Sequence, residues 1–105
     1  MSARPTQPVP LPAGAEVRAA SARGLTLVSP EPVTPGAVLE CDLLLGARPL
    51  PVVARVTQCR EAEQAQRHLV NVEFLAMAQI DRDSIADFLT AVGSAALRVR
   101  RHRED

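Results

Sequence analysis

The sequence predicts a mainly β protein, a small antiparallel barrel or highly curved sheet followed by one C-terminal helix. Apolar and polar residues alternate in several short segments, and Pro- and Gly-rich turns separate them. Apolar residues at helical spacing occur near the C-terminus, after the last of these segments. With 105 residues, 47% of them hydrophobic, the chain is expected to fold as one small domain.

The N-terminal third is expected to hold an arm, two strands and a tight turn. Residues 1–14 contain four prolines and are predicted to be an extended arm before the domain at 15–93. Residues 16–18 and 24–28 are predicted strands. Between them, the turn is expected to shape the chain: Ser21 would bond the local backbone, and Gly24 would permit a positive φ or a close strand approach.

The middle of the chain predicts a long hairpin. Residues 37–45 alternate and place Leu39, Cys41, Leu43 and Leu45 on the inner face. A loop at 46–49 leads to a β-branched return strand at 51–58, which would put Cys41 opposite residues near Val53. This register separates Cys41 from Cys59, so both thiols are expected to be free. The polar residues 60–66 could form a helical turn, but a solvated hairpin loop is the preferred prediction.

The last third predicts a strand and then a helix. Residues 67–75 alternate, and Asp81 is the predicted N-cap of the helix after them. Ile80 would pack on Ile85 as a hydrophobic staple. Gly93 is the predicted stop, and the Arg-rich tail at 94–105 is expected to resume as helix or to fray. The predicted core positions are Val70, Val72 and Phe74 on the strand and Ile85, Phe88, Leu89 and Val92 on the helix.

Composition argues against several classes of function. The 12 basic residues, all arginine, balance 12 acidic residues, so no overall field attracts nucleic acid or an anionic membrane. Phe74 and Phe88 are the two aromatic residues, too few for a base-stacking platform. Cysteine and histidine spacing does not suit zinc, and an enzyme is not expected because His68 has no paired nucleophile. With no apolar run long enough for a signal peptide or membrane span, a cytoplasmic location is expected.

Taken in chain order, four segments resemble a PilZ domain: SARGLTL, AVLECDLLL, PLPVVARVTQC and HLVNVEFLAMAQIDRDSIADFL. The resemblance covers roughly residues 16–92. It implies a six-stranded split β-barrel with a helix after the last strand. It also implies bacterial signalling through cyclic di-GMP, or descent from a protein that signalled in this way.

The ligand signature of that family is incomplete here. The family pairs Arg-x-x-x-Arg in the arm with Asp/Asn-x-Ser-x-x-Gly at the first turn. Ser21 and Gly24 match, but Ala19 stands in the Asp/Asn position and Arg4 is the only arginine of the arm. Arginine forks bind phosphates and guanine edges, and each lost bidentate contact costs about 1–3 kcal/mol. The sequence therefore predicts that cyclic di-GMP binding is weakened or lost.

These observations suggest three functions. The favoured one is a non-enzymatic adaptor that contacts another protein, in motility, pilus or surface regulation. The second is a genuine cyclic di-GMP receptor that uses non-standard arginines. The third is nucleic-acid binding through the Arg-rich tail. If the tail does not bind nucleic acid, its preferred role is docking to an acidic protein surface. Exposed sheet edges leave a homodimer open, and no cofactor other than a regulatory nucleotide is expected. The candidate ligand-binding residues are Arg4, Arg18, Ser21, Arg23 and Gly24, and the candidate partner-binding residues are Arg98, Arg100, Arg101 and Arg103.

Overall fold

The computed structural model describes residues 8–63 and 66–101. These residues contain seven strands, one α-helix and one 3₁₀ turn, joined by loops. The predicted class, mainly β with a C-terminal helix, is confirmed. The elements are β1 Val9–Pro10, β2 Glu16–Ala20, β3 Gly24–Ser29, β4 Val38–Leu45, β5 Arg48–Glu61, β6 His68–Phe74, α1 Gln79–Ala91, the 3₁₀ turn Ser94–Ala96, and β7 Arg98–Arg101.

The strands form one sheet in the order β1-β4-β5-β6-β3-β2, and β7 also pairs with β4. Two short strands share the same edge of β4: β1 pairs with it in parallel at residues 39–40, and β7 pairs antiparallel at residues 41–44. The described strands therefore number seven rather than the six expected from the resemblance. Among the described strands, the sheet is not closed.

The central hairpin is tighter and longer than the alternation predicted. Leu45 pairs with Arg48, so only Gly46 and Ala47 connect the strands, with Gly46 at φ +67°. The predicted loop at 46–49 and strand at 51–58 are thus corrected to a two-residue turn and a 14-residue β5. Pro49 fits in this strand because β6 pairs with β5 only from Ala54 onward.

The predicted inner faces form the core. Leu27, Leu39, Leu43, Val56 and Val70 are at most 2% exposed. The predicted core positions of β6, Val70, Val72 and Phe74, are all buried. Cys41 pairs with Val52, which agrees with the predicted pairing near Val53, and both cysteines are free.

The start of the helix differs from the sequence prediction. Helix α1 begins at Gln79, and the residue at its N-cap is Ala78, which offers no side-chain hydrogen bond. Asp81 therefore lies inside the first turn, where its charge suits the positive end of the helix dipole, and it is not the cap. Ile80 is 74% exposed, so the predicted staple is absent. The cause is the earlier start, which turns Ile80 outward.

The end of the helix is predicted correctly, whereas the segment after Gly93 is not. Gly93 has φ +98° and ends the helical run, and Ile85 is fully buried against the sheet while Val92 is 58% exposed. The residues after Gly93 neither resume a helix nor fray at 94–101. They make the 3₁₀ turn and then β7, because the edge of β4 offers backbone partners. Among the described helices, none is both long and apolar enough to span a membrane.

Candidate functional site

The Ser-x-x-Gly turn joins β2 to β3 and is closed by its own backbone and side chain. The Ser21 amide donates to the Gly24 carbonyl at 2.9 Å. The Ser21 hydroxyl accepts from the Arg23 amide at 3.1 Å. Ser21 thus bonds the local backbone, as the sequence predicts for a turn former.

Gly24 is required by the distance between two strands. It pairs with Glu73 of β6. A Cβ at Gly24 would collide with the Val72 carbonyl oxygen and lie 3.1 Å from Glu73 Cα. Of the two explanations that the sequence left open, a positive φ or a close approach, the structure supports the close approach.

Hydrogen bonds from β6 and helix α1 fix the backbone carbonyls of the turn. The Phe74 amide donates to the Arg23 carbonyl at 2.8 Å. A guanidinium nitrogen of Arg82, on helix α1, donates to the Ala22 carbonyl at 3.2 Å. The carbonyls of the turn are therefore bound by β6 and α1, and the turn is a fixed part of the fold.

A shallow hollow of about 370 Å³ lies beside this turn, and we call it the turn hollow. Ser21, Arg23 and Gly24 line one side of it, and Asn71 and Glu73 of β6 line the other. Three sequence-predicted candidates thus lie together. Glu73, which the sequence did not single out, adds a carboxylate that opposes phosphate binding through like charge.

A second hollow of about 470 Å³ lies farther along the same outer face, and we call it the bulge hollow. It is lined by Arg18 and Arg60, together with Glu61 and Glu63. Arg18 is the extra residue of a β-bulge in β2 and has no partner in β3. Arginines and glutamates are equal in number here, so this hollow has no net positive charge to attract an anion.

The two hollows adjoin because both are lined by Ala19 and Thr26. Ala19 is the position where the PilZ signature has Asp or Asn. A methyl group there has no atom that can accept or donate a hydrogen bond. The floor between the two hollows therefore consists of the Ala19 methyl group and the partly buried Thr26 side chain.

A row of hydrogen-bonded side chains crosses this floor. The Thr26 hydroxyl donates to the Asn71 amide oxygen at 2.9 Å, and the Asn71 amide nitrogen donates to Gln58 at 3.1 Å. Sequence reasoning missed this row. The signal was weak: Asn71 is simply a polar residue at an outward position of β6, and its partners lie on two other strands.

The tail arginines are placed differently from one another. Arg100 Nε lies 3.4 Å from an oxygen of Asp42, whose carboxylate is buried. Arg101 Nε donates to the Leu11 carbonyl at 2.7 Å. Arg98 is exposed. The remaining candidates, Arg4 and Arg103, lie outside the described residues.

The described residues give little support for catalytic or metal chemistry. Within the ranges 8–63 and 66–101, no group of three His, Cys, Asp or Glu residues is arranged to hold a metal ion. Cys41 is buried, and this burial, with smaller effects of Asp42 and Glu40, raises the pKa of its thiol to about 12. A thiol in this state is a poor nucleophile.

The chain matches a known protein family. A family model described as the PilZ domain matches residues 6–91. No curated protein and no solved structure matches the chain significantly. The PilZ family comprises domains of the cyclic di-GMP-binding type, which are generally binding or adaptor domains and not enzymes. With most of its length matched and a mainly β sheet followed by a helix, the chain belongs to the PilZ domain family.

Proposed function

We propose that this chain is a non-enzymatic PilZ signalling adaptor that acts by contact with another protein and has weakened or lost cyclic di-GMP binding. The observation that carries the proposal is Ala19, which places a methyl group where the family signature reads the nucleotide. We place the role in the bacterial cytoplasm, in motility, pilus or surface regulation, as the family resemblance implies.

The surviving signature residues have structural tasks that need no ligand. The Ser21 hydroxyl is engaged with the Arg23 amide. Gly24 is required by the approach of β3 to β6. The retention of Ser-x-x-Gly is therefore explained by folding, and it is not an argument for nucleotide binding.

A receptor that uses non-standard arginines is the second candidate, and one observation favours it. Arg18 and Arg23 are both exposed, they line adjoining hollows, and neither guanidinium has a hydrogen-bond or ion partner in the part of the chain that the structure describes. Two free guanidinium groups could bind the phosphates of a dinucleotide. Glu73, Glu61 and Glu63 on the same surface oppose this.

Calorimetric titration of cyclic di-GMP into the full chain separates the two candidates. We expect no heat of binding at micromolar concentrations of cyclic di-GMP. The variant Ala19→Asp, which restores the acidic residue of the signature, should gain measurable affinity for the nucleotide. Micromolar binding that Arg18→Ala or Arg23→Ala abolishes, while the exposed control Arg48→Ala leaves it intact, would establish the receptor and reject the loss of binding.

The adaptor half of the proposal is tested in cells. In a strain that lacks the gene, the measured defect would be in motility, pilus function or surface regulation. If nucleotide binding is dispensable, the variant Arg18→Ala/Arg23→Ala should correct this defect as well as the wild type does. Thr26→Arg, which fills the floor shared by both hollows, should fail if this face contacts a partner. Full rescue by Thr26→Arg would show that partner contact occurs elsewhere.

A further inference from the structure

The first half of β5 has an edge that no other described strand covers. Strand β4 pairs with β5 along residues 48–55, whereas β6 pairs with it only from Ala54 onward. Residues 48–52 therefore have β4 on one side and, in the part of the chain that the structure describes, no strand on the other. An uncovered edge is normally a template for a strand of another molecule, because its backbone donors and acceptors are unpaired.

The backbone hydrogen bonds of β5 show which groups point to this edge. The Val56 amide donates to the Ala37 carbonyl at 2.8 Å, on the β4 side. The Val53 carbonyl accepts from the Leu75 amide at 2.8 Å, on the opposite side. Successive residues of a strand direct their backbone groups to alternate sides. The odd-numbered residues from 49 to 53 therefore face the uncovered side, and the even-numbered residues face β4.

Proline occupies the two odd-numbered positions that lie within the uncovered stretch. Pro49 and Pro51 are exposed and have no N–H group, so neither position offers a donor at this edge. Their carbonyls point the same way, which leaves an edge of acceptors. The residues between and after them, Leu50 and Val52, are buried and keep their amides for β4. Proline thus stands where β5 needs no donor for its own hairpin.

We propose that Pro49 and Pro51 close this edge of β5 to strand addition, and so keep the β4–β5 hairpin from pairing with a second copy of the chain. On the other side of the hairpin, β1 and β7 cover the edge of β4. Without its prolines, the segment around Leu50, Val52 and Val53 would have the β-prone, apolar composition of strands that associate. The inference does not depend on nucleotide binding.

Threonine at both positions tests the proposal, because it restores the two missing N–H groups and has a high strand propensity. Sedimentation velocity of the full chain, from micromolar to millimolar concentration, measures association. The variant Pro49→Thr/Pro51→Thr should associate about tenfold more strongly than the wild type, since each added amide can donate to a strand of the second copy. Each single variant restores one donor and should lie between the two.

Two matched variants separate edge pairing from a general effect of losing proline. Pro32→Thr/Pro35→Thr makes the same exchange in the exposed loop between β3 and β4, and it should associate no more than the wild type. Pro49→Lys/Pro51→Lys restores the same amides but adds a positive charge at each position, so it should associate less than the threonine variant. Circular dichroism checks that each variant is folded.

Hydrogen exchange identifies the edge itself. In Pro49→Thr/Pro51→Thr, the amides of residues 49 and 51 should exchange rapidly at low protein concentration and become protected as the concentration rises. A threonine variant that associates no more than the wild type, or one whose association leaves these two amides unprotected, would overturn the proposal. Equal association of the loop control Pro32→Thr/Pro35→Thr would overturn it as well.

Discussion

Gly24 lies where β3 passes close to the backbone of β6. A side chain there would press on the Val72 carbonyl, and backbone cannot move aside as a flexible side chain can. We expect Gly24→Ala to lower the free energy of unfolding by about 3 kcal/mol in chemical denaturation. Gly46→Ala is the control: its added Cβ meets open space and only the positive φ is strained, at about 1 kcal/mol. Equal losses at both positions would contradict a close approach at Gly24.

Cys41 makes the stability of the fold depend on pH between about 9 and 12, a range in which few other groups of this chain titrate. Burial raises the pKa of its thiol from 9.0 to about 12. Between these values the unfolded chain releases this proton and the folded chain keeps it. The stabilising effect is therefore complete below pH 9 and declines above it, by about 1.4 kcal/mol per pH unit. The chain has neither lysine nor tyrosine to obscure this decline.

Chemical denaturation at pH 8, 9, 10 and 11 measures this decline in the free energy of unfolding. A Cys59→Ala background ensures that the second thiol does not contribute. The free energy of unfolding should fall above pH 9 when Cys41 is present and should be nearly flat in Cys41→Ala. A decline of the same slope in both chains would show that the Cys41 thiol is not its cause.

At the scale of elements, β7 fastens the N-terminal segment to the sheet. The two short strands occupy one edge of β4, and Arg101 of β7 bonds the carbonyl of Leu11, which is 2% exposed. Arg101→Ala should lower the free energy of unfolding by about 1 kcal/mol and raise the hydrogen-exchange rates of residues 9–15. Arg98→Ala, also on β7 but exposed and without a side-chain hydrogen bond among the described residues, should change neither quantity.

The elements that the sequence predicted well are those set by local alternation. The buried positions of β3 and β6 follow from period-two patterns that one face of the sheet imposes. Strand β4 departs from this pattern, because Val38 and Asp42 on its other face are buried as well. The strand β7 was missed because Arg-Val-Arg-Arg has a single apolar residue, and its strand form comes from the available edge of β4. The helix start was misplaced because Ala78 carries none of the side-chain signals of a cap.

For the candidate site too, the sequence predicted the local part and missed the part that depends on distant residues. The turn could be predicted because Ser21 and Gly24 lie three residues apart and bond each other. The surface around the turn could not, because it is assembled from positions far apart in the chain. Thr26 and Asn71 are separated by 45 residues, and no local pattern links them. The predicted ligand-binding role of Arg18 and Arg23 stays a prediction until the nucleotide is titrated.

At the scale of the whole molecule, the distribution of charge argues against nucleic-acid binding. The chain has 12 basic and 12 acidic residues. Two of the tail arginines are engaged within the chain, Arg100 with buried Asp42 and Arg101 with the Leu11 carbonyl. Binding to a phosphate backbone would have to replace these contacts, and replacing the first would leave a buried carboxylate without its arginine.

We therefore expect no binding to duplex DNA or single-stranded RNA at physiological salt, measured by fluorescence anisotropy up to tens of micromolar protein. Any association at low salt should have a shallow salt dependence, because the 12 acidic residues of the chain offset its 12 arginines. The variant Arg98→Ala should then behave as the wild type does. Tight binding with a steep salt slope, reduced by Arg98→Ala but not by Arg48→Ala, would show instead that β7 presents its arginines to a phosphate backbone.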